Sequence, residues 1–192
     1  LAAKTFAEQL RVRMHQGMKR KNVESAMEIA IASANEAVHR KSRDDQRYSG
    51  MGTTLVGFAV NEDVMSIVNV GDSRAYLINE DGITRITRDH SLVEDLVRHG
   101  GITPEQAKVH PGKNLITRAI GTGSTVNGDY YSMRLEKGDV ILLCSDGLSN
   151  LLNDQEILYE VIHGGALEDC CTRLANIVLE RGAPDNVTAL IF

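Results

Sequence analysis

Apolar residues recur at helical spacing from the first few positions. Ala3, Phe6, Ala7, Leu10 and Met14 fall three and four apart, with Lys4, Glu8, Gln9, Arg11 and Arg13 between them, and predict an amphipathic helix. No Ser, Thr, Asp or Asn precedes it as an N-cap, so the expectation is that the chain opens inside a helix and lacks an N-terminal segment of the natural protein. Asn22 is expected to cap a second helix, whose stripe is Val23, Ala26, Met27, Ala30, Ile31, Ala34 and Val38. Residues 40–47 are polar and mixed in charge, a solvated helix end and loop. After Gly50-Met51-Gly52 the pattern changes to short β-branched segments at 53–60, 64–70, 74–78 and 83–87. Asn61-Glu62-Asp63, Gly71-Asp72 and Glu80-Asp81-Gly82 punctuate them as turns and predict an antiparallel meander. Two helices followed by consecutive strands indicate α+β packing and not an alternating βαβ sheet.

A helical insert comes next. Leu92, Val93, Leu96 and Val97 give a short apolar face closed by Gly100-Gly101, and Thr103-Pro104-Glu105-Gln106 reads as a capping box with Pro at the first helical position. Strands are expected at 130–135 and 140–144, a helix starting from Asn153 with Glu156, a last helix with the stripe Leu167, Cys170, Cys171, Leu174, Ala175 and Val178, and a final strand at 187–192. There is no internal repeat, linker or low-complexity tract, which points to a single domain.

Composition narrows the function. The 192 residues are 42% hydrophobic and 24% charged, the balance of a globular chain long enough to build its own core. The formal net charge of -5 argues against nucleic acid as the main partner, because phosphate neutralisation needs clustered Lys and Arg. No apolar run reaches the length of a membrane span. The three cysteines show no Cys-x-x-Cys spacing and form no disulfide framework, which favours a reducing compartment such as the cytoplasm.

Three acidic residues sit at strand-end turns: Asp72, Asp146 and Asp185. Asp is a preferred turn residue in its own right. Asp146 differs because it follows the apolar run Val140 to Cys144 and precedes Gly147. A carboxylate there needs a partner, and no Lys or Arg is near in sequence, so a metal ion is a candidate. Converging carboxylates suit a hard cation, Mg²⁺ or Mn²⁺. Zinc is disfavoured: His90, His99 and His110 are too widely spaced for a helical His pair, and the cysteines are not paired. Cys170 and Cys171 fall on an apolar stripe and Cys144 in an apolar strand, so all three read as core. Gly50 to Thr54 has the wrong spacing for a phosphate loop and reads as a tight helix-to-strand connection.

Together these segments resemble the metal-dependent protein serine/threonine phosphatases of the PPM (type 2C) family, bacterial branch. The matching runs are Ser49-Gly50-Met51-Gly52-Thr53-Thr54, Gly71-Asp72-Ser73-Arg74-Ala75-Tyr76, Thr87-Arg88-Asp89-His90-Ser91, Pro111 to Gly121, Ser145-Asp146-Gly147-Leu148 and Pro184-Asp185-Asn186-Val187-Thr188, in family order. The resemblance implies two antiparallel sheets in a sandwich flanked by helices, with a helical flap at about 89–113. It implies Asp146 and Asp185 as ligands of the first ion of a dinuclear Mn²⁺ or Mg²⁺ site. Asp72 is implied as a ligand of a third ion shared with Asp146, and Asn114 as a weaker third-ion ligand.

The family's bridging Asp-Gly and its proposed general-acid His lie before the segment that aligns with Leu1. No catalytic side chain is therefore assigned within these residues, and the 192-residue chain alone is expected to bind metal poorly and hydrolyse little. The implied reaction is hydrolysis of phosphoserine and phosphothreonine esters by a metal-activated water. The implied partners are phosphorylated proteins made by a serine/threonine kinase. The alternative is a catalytically inactive regulatory or binding domain of the same fold.

Overall fold

A computed structural model describes residues 1–192. The chain divides into two compact units, one formed by residues 1–72 and 89–134, the other by 73–88 and 135–192.

The first unit is organised by a 25-residue helix. Helix α1 spans Ala2–Arg13 and α2 spans Arg20–Asp44. All seven residues of the expected α2 stripe are buried, and the small Ala26, Ala30 and Ala34 let neighbours approach closely. All of them but Val23 share one core with Phe6 and Leu10 of α1 and with Leu55, Val68, Val70 and Ile120. On α1 the buried residues are Ala2, Phe6 and Leu10, while Ala3 and Ala7 face solvent: a methyl side chain contributes too little area to fix a face. Asn22 is not a cap. Its backbone N–H bonds the Lys19 carbonyl, because α2 has already started at Arg20.

Strands β1 (Leu55–Asn61), β2 (Val64–Val70) and β5 (Asp129–Arg134) make a three-stranded antiparallel sheet in the order β1-β2-β5. Gly57 of β1 leaves room for the Phe6 ring, which sits where its Cβ would be. Asn35, the buried polar residue of the α2 face, accepts from the Gly121 N–H at 2.7 Å and donates to the Gly123 carbonyl at 3.0 Å, fastening that loop to the helix.

In the second unit β3 (Arg74–Asn79), β4 (Gly82–Arg85), β6 (Val140–Cys144) and β7 (Ala189–Ile191) form an antiparallel sheet in the order β4-β3-β6-β7. The expected meander is thus interrupted. Strands β1–β2 and β3–β4 are hairpins, but β2 does not pair with β3, and the break falls at Gly71-Asp72. Gly71 has φ +109°, and a Cβ there would collide with Thr54, so the chain turns away where a tight hairpin would have continued.

Helices α5 (Asp146–Ser149), α6 (Asp154–Ile162) and α7 (Cys170–Glu180) complete this unit. Asn153 and Glu156, expected to start this helix, form a capping box at the beginning of α6. Tyr76, Ile78, Leu142, Cys144, Leu148, Ile157, Cys170, Leu174 and Val178 share one core. Burial pushes the Tyr76 phenol up to about 12, against the lowering effect of neighbouring Arg74. Leu167 and Cys171 are less buried than their stripe suggests: α7 begins only at Cys170, so Leu167 precedes it.

Candidate metal centre

Asp146 and Asp185 are brought together by the residues beside them. Strand β6 ends at Cys144, and Ser145 then takes the N-cap position of α5, whose first residue is Asp146, without a side-chain cap bond. Ser145 holds the loop that carries Asp185. Its Oγ accepts from the Thr188 N–H at 3.0 Å and donates to the Asn186 carbonyl at 3.3 Å, and its N–H donates to the Thr188 carbonyl at 3.0 Å. Gly147 completes the dock, because a Cβ there would collide with the Asn186 carbonyl oxygen. In Ser145-Asp146-Gly147 the outer residues seat the loop and the middle one presents its carboxylate.

The electrostatics agree with that placement. Burial pushes the Asp146 carboxyl above its ordinary value, and the Asp185 charge raises it further, against the Gly147 N–H and the Arg74 guanidinium. Asn150 Nδ2 lies 3.4 Å from Asp146 Oδ2, and Asp185 Oδ1 accepts from the Asn186 N–H at 2.7 Å. Arg74 is remote from Asp146 in sequence. It comes from the adjacent strand, where β3 register places it opposite Cys144.

Two repelling carboxylates are a donor set that a hard divalent cation relieves. Mg²⁺ and Mn²⁺ accept one or two carboxylates and retain waters for the remaining positions. The pair therefore fits such an ion, although no group of three or more His, Cys, Asp or Glu side chains gathers closely enough to hold one alone.

The other expected ligands lie in the first unit. Asp72 is half-buried on the turn after β2, and Asn114 is exposed on the turn at 111–114. The insert contains α3 (Leu92–Arg98), capped by Ser91, and α4 (Pro104–Val109), which carries the expected Thr103–Gln106 capping box; neither helix has a buried residue. Cys144 and Cys170 are buried, Cys171 is partly so, and all three are free thiols.

Residues 1–190 match the family described as Protein phosphatase 2C, and the chain belongs to that family. It is similar to the protein phosphatase PhpP of Streptococcus pneumoniae, 38% identical over 157 residues, which are 82% of this chain and 63% of PhpP. This chain thus spans less than two thirds of that relative's length. Among solved structures it resembles the serine/threonine phosphatase Stp1 of Staphylococcus aureus, with TM-score 0.88 and 38% identity over 98% of this chain and 75% of that one. It also resembles the catalytic domain of the serine/threonine protein phosphatase PstP in complex with two manganese ions, with TM-score 0.82 and 32% identity over 99% of this chain and 79% of that one. The expected α+β architecture of two antiparallel sheets with flanking helices is that of these phosphatases.

Proposed function

We propose that this chain serves a divalent-metal-dependent phosphatase acting on phosphoserine and phosphothreonine esters, with Asp146 and Asp185 as metal ligands. The carrying observation is the Asp146–Asp185 pair, seated by Ser145 and Gly147 so that two like charges repel each other. The manganese ions named for the PstP structure support Mn²⁺, with Mg²⁺ the equivalent oxygen-ligand choice. Asp72 and Asn114 are assigned to a further ion, and the insert at 89–113 to the flap.

The bound ions would supply an acidified water and charge neutralisation on the phosphoryl oxygens. The protein's part is positional. Asp146 and Asp185 hold negative charge at fixed points, Arg74 tempers the carboxyl of Asp146, and the Ser145 hydrogen bonds prevent the Asp185 loop from drifting. None of the three thiols takes part. Substrates are assigned as phosphoproteins produced by a serine/threonine kinase. The free thiols support a cytoplasmic location, and no helix is long and apolar enough to cross a membrane.

The test is p-nitrophenyl phosphate hydrolysis by the full-length natural protein with Mn²⁺. EDTA should abolish turnover, and Asp146→Ala should remove most of it. Unchanged turnover in Asp146→Ala, or none in the unaltered protein, overturns the proposal, the latter in favour of an inactive binding domain.

A further inference from the structure

His90 spends all of its hydrogen-bonding capacity at one crossing point of the first unit. Its backbone N–H donates to the Gly71 carbonyl at 2.9 Å, and its carbonyl accepts from the Thr117 N–H at 2.8 Å. Its ring Nδ1 accepts from the Gly71 N–H at 2.9 Å. Its Nε2 lies 3.2 Å from Asp129 Oδ2. The His90 side chain is only 6% exposed.

The pattern fixes the ring's proton. An Nδ1 that accepts from a backbone N–H carries no hydrogen, so the neutral ring is protonated at Nε2, which donates to Asp129. Arg118 Nη1, 3.0 Å from Nε2, is itself a donor and cannot bond that nitrogen. Its acceptors are Asp129 Oδ1 at 2.6 Å and the Asn127 carbonyl at 3.1 Å. Asp129 is thereby held by Arg118 on one oxygen and holds His90 with the other.

The far end of this relay is Gly71, whose N–H and carbonyl both bond His90. Asn69 Nδ2 adds a bond of 3.1 Å to the same carbonyl. Gly71 is the left-handed residue at which the chain turns, and its carbonyl belongs to the peptide group that leads into Asp72. Fixing both polar groups of Gly71 fixes the direction in which Asp72 leaves. A core histidine needs only satisfied nitrogens; here backbone and ring together grip one residue, and that residue adjoins a candidate ligand.

We propose that His90, oriented by Asp129 and Arg118, is a positioning residue that sets the Gly71 peptide and so aims the Asp72 carboxylate. Its consequence for cation binding rests on the assignment of Asp72 as a ligand, whereas its grip on Gly71 does not. Asn can reproduce this grip, because its Oδ1 stands near the place of Nδ1. Leu fills the space and accepts nothing.

The experiment uses the ¹⁵N-labelled 192-residue chain and two NMR readouts, with thermal unfolding recorded for every variant. Without metal, a through-hydrogen-bond coupling between Gly71 N and His90 Nδ1 is expected, and its absence overturns the inference. With Mn²⁺ added, weak but saturable broadening of the Gly71 and Ser73 amides is expected, abolished by Asp72→Asn. His90→Leu should raise the midpoint Mn²⁺ concentration about fivefold, the worth of one net hydrogen bond, and His90→Asn should restore it. An unshifted midpoint in folded His90→Leu overturns the inference, because a histidine that only fills the core would lower the melting temperature and leave the midpoint unmoved. No broadening in the unaltered chain overturns the metal assignment of Asp72 and leaves the coupling to judge the grip.

Discussion

The two units hold their candidate ligands by opposite means. In the first, Asp72 follows a turn held by polar groups: Gly71, His90, Asp129 and Arg118 form a chain of hydrogen bonds. In the second, Asp146 follows an apolar strand and precedes the buried Gly147 and Leu148, and Ser145 beside it docks the loop that carries Asp185. The polar design tunes direction through bond geometry. The apolar design fixes position through packing, which is stiff because protein interiors lack spare volume.

The carboxyls differ accordingly. At Asp129 burial raises the carboxyl, but hydrogen bonds from Arg118 and His90 outweigh it and hold it below the ordinary value. At Asp146 burial and the Asp185 charge win, and the carboxyl lies above it.

The largest effect should come from the packed side. Leu148→Ala removes a fully buried side chain two residues after Asp146 and should cost about 2–5 kcal/mol in urea unfolding. A cost near zero would show that packing does not hold this ligand. Gly71→Ala should rank second, at about 1–3 kcal/mol, because the new methyl meets Thr54 at a positive φ. It should also broaden or shift the Asp72 amide resonance while leaving Asp146 unchanged, and a shift at both would dissolve the contrast.

Acid should separate the two designs by sign. The stability contributed by Asp129 is present above the ordinary aspartate value of about 3.9 and is lost as pH falls through its lower folded value. The metal-free Asp146–Asp185 repulsion runs the other way: the raised carboxyl contributes most below about 3.9, and that contribution is lost as pH rises through its folded value. Hydrogen exchange between pH 5 and 3 should therefore show falling protection at the Gly71 amide and no such fall at Thr188. Equal losses at both would remove the distinction.

The smallest effect belongs to the exposed Glu156–Arg181 pair, whose Arg181 hydrogen bond holds Glu156 at about 2. That contribution is present above the ordinary glutamate value and lost towards about pH 2. Glu156→Gln should barely move the melting temperature at pH 7 and should flatten its decline in acid.

Much of this architecture is legible in the residues. The α2 stripe is, because seven positions at one period leave little choice of face. So are both capping boxes, whose chemistry is local, and Asp146, marked by an apolar run ending in a charge. The separation of β2 from β3 is not, because period-two alternation identifies strands without naming their partners. Arg74 reaches Asp146 only through cross-strand register. Asn35 meets Gly121 across 86 positions of sequence. The spacing of His90 speaks against a helical metal pair and is silent on its actual partners, since Gly71 and Asp129 lie in separate strand-end segments that only the folded sheet unites.

Both helices of the insert supply their own ends. Ser91 starts α3, the Thr103–Gln106 box starts α4, and neither helix lends a side chain to the core. A backbone bridge between Ser91 and Ile116 closes its base. Such a piece can be altered in length and outer residues without removing a side chain from the core. It is also a natural position for grafting, since an exchanged insert must reproduce only the stem between Ser91 and Ile116 to be accepted by the host.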